Sequence, residues 1–403
     1  MTPASPAIPN SPVVSGPLVP GLRAEALRLG FSRLGIAAAV PPPHHDGFRT
    51  WLAAGLAGVM HDWLARHEPL RSDPSLLLAG TRSVIVLATD HAIEPAAAPG
   101  AEAGLDRSPG AAGRGRGRVA RYAWGDDYHD LLRSRANTLA AWLASQVPGC
   151  RTRGVVDSAP LAERDYGLLA GLGWIGKNTM LIDPRAGSYF FLTAILTDLD
   201  LPPDTPLEVD HCGTCTACLD ACPTDAFVAP RVLDARRCIS GLTIEDHGDL
   251  PADLRPLLGD WVFGCDVCQE VCPWNRHAPG STEPSLQPRA GGPALELADL
   301  LQLDDAAFRG RFRGSPLLRA KRRGLLRSAA IALGNTPAPE AFAALAAAVD
   351  DSEPVLRTAA AWALGRWRQA GVRAAEATAV LETRLATETD ATVRLEIEAA
   401  LGS

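Results

Sequence analysis

Cys212-Gly-Thr-Cys215-Thr-Ala-Cys218-Leu-Asp-Ala-Cys222-Pro223 opens a stretch that closes with Cys265-Asp-Val-Cys268-Gln-Glu-Val-Cys272-Pro273, and Cys238 stands between the two runs. Eight of the nine cysteines fall here. This spacing is the one by which thiolates hold [4Fe-4S] clusters, and the fourth cysteine of such a run ligates the other cluster of a pair. A four-iron cube offers four corners. Three closely spaced thiolates wrap three of them, and the fourth must come from a distant piece of chain. That logic assigns Cys212, Cys215, Cys218 and Cys272 to one cluster, and Cys222, Cys238, Cys265 and Cys268 to a second.

Zinc and disulfides are the competing readings. Paired Cys-x2-Cys units also bind zinc, but zinc sites seldom carry the run that ends in Cys-Pro, and no histidine stands at ligand spacing in these gaps. Disulfides need an oxidising compartment, and nothing at the N-terminus signals export. The ninth cysteine, Cys150, follows Pro148-Gly149 and reads as a bystander thiol.

At 403 residues and 47% hydrophobic content the chain predicts two or three domains with a buried core. No apolar run approaches the ~20 residues of a membrane span. Residues 1–20 are rich in proline and free of basic residues, and read as a disordered leader. A cytoplasmic protein that does not contact a membrane is the expectation. The net charge of -7 argues against blanket nucleic-acid binding but leaves room for a local basic patch.

Outward from the cysteines, the chain predicts an α+β protein. Residues 21–205 read as a mixed α/β domain, 206–276 as a ferredoxin-like two-cluster domain, 277–300 as a linker and 301–403 as an all-α domain of HEAT-like repeats. In the first part, helix and strand alternate over 21–40, a second helix covers 46–58, and Ser83–Ala88 is a buried strand. Residues 91–118, ending in Arg114-Gly-Arg-Gly-Arg118, have the composition of a surface loop, with a phosphate cradle as the other reading. A helix covers 127–146. Residues 152–156 form a strand that leads into a helix capped by Asp157 or Ser158, with Pro160 in its first turn. Residues 179–182 and 188–196 read as a hairpin. In the last part Ala-Leu-Gly recurs at Ala332, Ala363 and Ala400, each behind an arginine (Arg327, Arg357, Arg394), as in stacked helix pairs. Before it lies a basic run, Arg309, Arg311, Arg313, Arg319, Lys321, Arg322, Arg323 and Arg327. It reads equally as a solvated helix face or as a phosphate-contacting surface.

Taken together the motifs resemble the epoxyqueuosine reductase family over nearly the whole chain, from about residue 22 onward. The resemblance rests on Arg-Tyr-Ala-x-Gly-x-Asp-Tyr-His (121–129), Val-Asp-Ser-Ala-Pro (156–160), Gly-Leu-Gly-Trp-Ile-Gly-Lys-Asn (171–178), the two cysteine runs, Arg-Cys-Ile-Ser (237–240) and Phe-Gly-Cys-Asp-x-Cys-Gln (263–269). It implies reduction of the epoxide of epoxyqueuosine, at the wobble position of tRNA with a GUN anticodon, to queuosine. It implies base-off cobalamin in the first domain, reduced to cob(I)alamin through two [4Fe-4S] clusters, and helical repeats that help hold the anticodon stem-loop. It favours the RNA reading of the basic run. The chain departs from the family at Asp90-His91, where an aromatic is expected, and in a long 95–118 segment.

The chemistry needs a reductant on one face and a proton near the departing oxygen. The resemblance makes Asp157 the acid and a contact of the cofactor, with a carboxyl that burial against corrin and substrate must hold protonated; by sequence alone a helix cap is the competing role. It makes Asp127, Tyr128 and His129 contacts of the corrin or its tail. His129, read otherwise as a capping or core histidine, is not expected to ligate cobalt, because Co(I) prefers low coordination. Arg71, Lys177 and Asn178 are candidates for corrin amide or phosphate contacts, and Ser240 for a place between cluster and corrin. Gly171, Gly173 and Gly176 either admit a flat macrocycle or simply stop a helix. No nicotinamide or flavin fingerprint is visible, so an external low-potential electron donor is expected, with the enzyme acting as a monomer. The runner-up readings are a two-cluster electron carrier and a relative of reductive dehalogenases.

Overall fold

The structure is a computed structural model and describes residues 18–93, 112–207, 209–289 and 292–402. Residues 1–17 of the expected leader and most of the expected 91–118 loop lie outside them. Helix α1 (Leu18–Arg28) begins inside the expected leader and is followed by strand β1 (Arg33–Ala38) and helices α2 (His45–Ala53) and α3 (His61–Ser72). Strands β2 (Ser83–Asp90) and β3 (Arg116–Val119), helix α4 (Tyr128–Gln146), strand β4 (Thr152–Val155) and helix α5 (Glu163–Leu169) come next. Then follow the short strands β5 (Trp174–Ile175) and β6 (Leu181–Ile182) and the long strand β7 (Phe190–Thr197).

The first sheet has the order β1-β2-β7-β4, antiparallel throughout. Side chains alternate across a strand. Ile85 and Leu87 of β2 therefore pack with Leu22 of α1 and Leu132, Leu139 and Leu143 of α4. Val84, Val86 and Ala88 pack on the opposite face with Leu161 and Tyr166. Both faces are covered, which is why β2 reads as one apolar run. The expected hairpin of 179–182 with 188–196 is not formed: β6 pairs with β5, whereas β7 pairs with β2 and β4. A local turn was the obvious guess, but β7 finds eight partners along β2.

The cysteine segment contains the short helix α6 (Ala217–Asp220), strands β8 (Phe227–Ala229) and β9 (Val232–Leu233), helix α7 (Ile239–Ile244), strand β10 (Trp261–Phe263) and helix α8 (Val267–Glu270). Strand β11 (Ala294–Glu296) and helices α9 (Leu297–Leu301) and α10 (Asp305–Arg311) follow, so part of the expected linker is regular structure. The Arg-Gly-Arg-Gly-Arg segment is likewise not all loop. Its second half is β3, the centre of a three-stranded sheet between β10 and β11. Composition alone points to a loop here; the strand is imposed by partners far away in sequence.

The chain ends in α11 (Lys321–Asn335), α12 (Phe342–Ala348), α13 (Pro354–Gln369), α14 (Ala374–Leu385) and α15 (Ala391–Gly402). The Ala-Leu-Gly repeats lie on α11, α13 and α15. A Cβ on Gly334 would lie 2.5 Å from Trp362, and one on Gly365 would lie 2.8 Å from the Ala400 Cβ, so these glycines set the closeness of the crossings. Behind them Arg357 is bonded by Glu388 at 2.8 and 3.0 Å, and Arg384 joins the same carboxylate. The Glu388 side chain is fully buried. Glu388→Ala is therefore expected to cost about 3–5 kcal/mol of stability, because it strands a buried guanidinium. Chemical denaturation measures this, and a loss under about 1 kcal/mol would show the pair to be dispensable.

A candidate active site beside two sets of thiols

Asp157 does not cap a helix. Helix α5 starts six residues later, with Ala162 at its cap position and no side-chain cap. Instead Asp157 sits in an exposed turn in the left-handed region, at φ 38°, a conformation that aspartate tolerates better than most residues. Its carboxylate accepts the Tyr128 hydroxyl at 2.7 Å and lies 3.1 Å from His129 Nε2. The other ring nitrogen of His129 lies 2.7 Å from Asp127 Oδ1, and the same oxygen accepts the His129 amide at 3.0 Å, capping α4. The segment 127–129 and Asp157, distant in sequence, thus form one relay.

The charges in this relay differ from the sequence expectation. Burial favours the neutral form of Asp157, but the hydrogen bonds from His129 and Tyr128 outweigh it and hold the carboxyl below its usual range. Burial likewise works against charge on His129, yet Asp127 and Asp157 carry the imidazole up to about 9. The proton at neutral pH therefore rests on His129, not on Asp157. The Asp157 side chain is still 57% exposed, so a flat ligand laid over it would remove the solvent that favours its charge. With both ring nitrogens engaged, His129 has no lone pair to offer a metal.

Sequence reasoning missed Glu163. Its Oε1 accepts the Asp157 amide N–H at 2.9 Å. Burial, with the Asp157 charge adding to it, pushes Glu163 up to about 8. Arg71, in the last turn of α3, lies over the Phe48 ring with its guanidinium carbon 5.0 Å from the ring centre; its charged neighbours are Glu163, Asp165 and Arg164. It is thus on the Glu163 side of Asp157. His91 fills the aromatic slot. Burial drives its imidazole down to about 3, and the neutral ring packs 4.4 Å from Phe191, which itself stacks on Tyr128 at 4.0 Å.

Lys177 and Asn178 bond elsewhere, at the cysteine runs. Lys177 Nζ donates to the carbonyls of Gly213 and Cys215 at 2.7 and 2.9 Å, and Asn178 Nδ2 donates to the Cys268 carbonyl at 3.2 Å. The pair clamps both cysteine runs. The glycines before them face protein rather than open space. A Cβ on Gly173 would lie 2.2 Å from the Ile182 carbonyl, and one on Gly171 2.5 Å from that of Thr205. Ser240 lies in the first turn of α7, and its amide reaches the Cys238 sulfur.

The sequence expects two sets of four thiols. Cys212, Cys215, Cys218 and Cys272 line one partly open cleft, together with Lys177, Asn178 and Trp274. Burial pushes the Cys218 thiol up to about 11, reinforced by Cys272, Cys212 and Cys215. Burial raises Cys238, with Cys222 adding to it; Cys265 is raised by burial, then by Cys268 and Cys238 among its neighbours. Cys268 has Cys238, Cys218 and Cys222 around it, so the two sets adjoin. Thiols that burial and one another keep protonated are the ligand chemistry of a strongly cationic centre, which reverses that preference. The donor sets fit two iron–sulfur clusters.

Three of the eight residues of the basic run have structural partners. Arg327 is buried and donates to the carbonyls of Leu242 and Gly248, and Arg322 pairs with Asp351. Arg319 bonds Glu245 at 2.8 Å, and Asp157 is among its charged neighbours. Arg309, Arg311, Arg313 and Lys321 are exposed. Of these Arg313 comes nearest the relay, because the Asp127 amide donates to the carbonyl of its neighbour Gly314 at 2.8 Å.

Known proteins show the same arrangement of parts. A family model described as epoxyqueuosine reductase QueG, DUF1730, matches residues 71–158, a 4Fe-4S double cluster binding domain matches 211–275, and HEAT repeats match 316–402. The epoxyqueuosine reductase of Pseudomonas aeruginosa is 42% identical over 367 residues, covering 91% of this chain and 99% of the relative. A solved epoxyqueuosine reductase in complex with an epoxyqueuosine-modified tRNA-Tyr stem loop superposes with a TM-score of 0.84 at 31% identity, covering 96% of this chain and 98% of its own. The enzyme from Bacillus subtilis, solved with its catalytic aspartate loop swung out of the active site, gives 0.83 at 31% identity, with coverage of 96% and 98%. From the paired thiols to the closing helices, this chain belongs to the epoxyqueuosine reductase family.

Proposed function

We propose that this protein reduces epoxyqueuosine in tRNA to queuosine, with Asp157 delivering protons to the departing oxygen. The observation that carries the proposal is the Asp157 carboxylate, bonded by Tyr128 and His129 and still exposed on its remaining side. Removing the epoxide oxygen takes two electrons and two protons: both C–O bonds break, a C=C bond forms and water leaves. Bound cobalamin, charged through the two clusters from an external low-potential donor, supplies the reducing power. The chain's residues supply the rest. Tyr128 and His129 orient Asp157, and His129 returns a proton to it from the imidazolium. Arg71 stands on the Glu163 side of the same turn to meet a polar edge of the corrin. Cys212, Cys215, Cys218 and Cys272 would hold one cluster and Cys222, Cys238, Cys265 and Cys268 the other, with the Ser240 amide beside Cys238. The exposed arginines next to Gly314 meet the RNA backbone, where cations provide most of the affinity. Among the described residues no helix is long and apolar enough to cross a membrane.

The test is an anaerobic turnover. Protein reconstituted with iron, sulfide and cobalamin, given a chemical reductant and tRNA carrying epoxyqueuosine, is expected to yield queuosine only when cobalamin is present. Clusters without corrinoid uptake or conversion would favour an electron carrier. Run across pH, the assay also reads His129. Turnover depends on the folded protein alone, so His129 keeps the proton it returns until pH approaches its raised value. The rate is expected to fall as pH climbs through about 9, and His129→Gln to show a lower plateau without that fall. An unchanged alkaline limb in His129→Gln would remove His129 from the relay.

A further inference from the structure

The turn that carries Asp157 is anchored at both ends and held at its tip by few bonds. Val156 and Leu161 on either side are buried, whereas Asp157 and Ser158 are exposed. The described hydrogen bonds within the turn are short-range: the Leu161 amide to the Ala159 carbonyl at 2.8 Å, and the Ser158 hydroxyl to the Val156 carbonyl at 3.1 Å. Neither restrains the left-handed backbone at Asp157, a conformation that persists in a non-glycine residue only when its surroundings over-determine it. The restraint on that peptide comes from the next helix. Glu163 occupies the first position of α5, and α5 is seated on the sheet: its following residue Ala170 presents a carbonyl only 2.1 Å from where a Cβ on Gly35 of β1 would stand. From this fixed base Glu163 reaches back across Pro160 to accept the Asp157 N–H.

We infer that Glu163 is a positioning residue, a latch that fixes the backbone of Asp157 so that its carboxylate stays between Tyr128 and His129. The inference rests on the reading of Asp157 as the proton donor and adds a residue to it. Asp157 is held from two sides. Tyr128 and His129 take its side chain, and Glu163 takes its amide. The two holds are complementary, because the side-chain bonds alone leave the peptide free to rotate and swing the carboxylate outward. A carbonyl-type oxygen at the right reach is all the latch needs. Glu163 faces Asp157, Arg71 and Arg164, and a neutral carboxyl there accepts the amide without repelling the Asp157 charge.

Hydrogen exchange in the cluster-loaded protein, without cobalamin or tRNA, tests the latch apart from catalysis. Glu163→Ala is expected to speed exchange of the Asp157 amide about threefold to tenfold, the worth of one amide hydrogen bond. Glu163→Gln, which keeps an oxygen at the same reach, is expected to match the wild type. Glu163→Asp, one methylene short, is expected to loosen the turn as alanine does, and it stands in should the alanine variant fail to fold. Exchange equally slow in all variants would overturn the latch. So would equal loosening by Gln and Ala, since charge and not the acceptor would then hold the turn. In the turnover assay Glu163→Ala is expected to lose rate while binding of cobalamin and tRNA is unchanged, and Glu163→Gln to retain it. If the wild type itself does not convert epoxyqueuosine, the proposed function fails while the exchange result still decides the latch.

Discussion

Asp157→Asn is expected to slow conversion of epoxyqueuosine by about 10²–10⁴-fold, the range for loss of a positioned general acid, while iron content, corrinoid binding and tRNA affinity stay at wild-type levels. The amide keeps the size of the side chain and can still bond Tyr128 and His129, but it cannot release a proton. The resting arrangement sharpens the expectation. Asp157 is ionised and His129 carries the proton, so transfer follows when ligands cover the carboxylate and its charge loses solvent. The variant should then retain the single-electron chemistry of the clusters and fail only at the oxygen. Turnover of Asp157→Asn within a few-fold of wild type would exclude the role, and loss of cobalamin binding instead would make Asp157 a cofactor contact.

The second large effect concerns how the thiols are shared. The first run ends in Cys222 and the second in Cys272, and in the proposed assignment each serves the cluster begun by the other run. Single substitutions each cost one cluster. The informative variants are double. Cys222→Ala with Cys265→Ala strikes one cluster twice and is expected to leave about four irons per chain. Cys222→Ala with Cys215→Ala strikes both clusters and is expected to leave about none. If each run held its own cluster, the two results would be reversed. Iron and acid-labile sulfide analysis, with the spectrum of the reduced protein, distinguishes the two patterns. Reductive turnover should vanish in both doubles. Cys150→Ser should change neither quantity, as Cys150 lies in the first core, half-buried against its packed side chains.

Features encoded by short spacing were legible in the sequence. The cysteine runs mark the double-cluster segment, and the Ala-Leu-Gly recurrence marks the crossings of α11, α13 and α15. The apolar run of β2 announces a strand covered on both faces. What escaped depended on partners remote in sequence. β7 lies close to β6 in the chain but pairs with β2 and β4, because a long apolar strand gains more in the sheet centre than in a two-residue hairpin. Asp157 before Ser-Ala-Pro has the pattern of a helix cap, and nothing local says that the helix waits until Glu163. Glu163 itself looks like an ordinary first-turn acid, favourable there for the helix dipole. Only the turn that brings it back to the Asp157 amide gives it a second role. Lys177 and Asn178 carried a strong motif whose destination, the cysteine loops, required the fold.

Strand β3 has a consequence for what can be exchanged between proteins. It is paired on one side with β10 from the cysteine segment and on the other with β11 at the entrance to the helical repeats. Its last residue Val119, and Ala123 and Trp124 after it, are buried in the same core as the repeats, and the chain then runs directly into Tyr128 and His129. A fragment ending near residue 205 would carry these side chains into solvent, and a graft that replaced the repeats would unpack the segment leading into the relay. The parts that sequence presents as interchangeable cassettes are therefore inherited together. Substitutions at the seam have to be accommodated on three sides at once, so natural variation should gather on the outer faces of the helices and spare this strand.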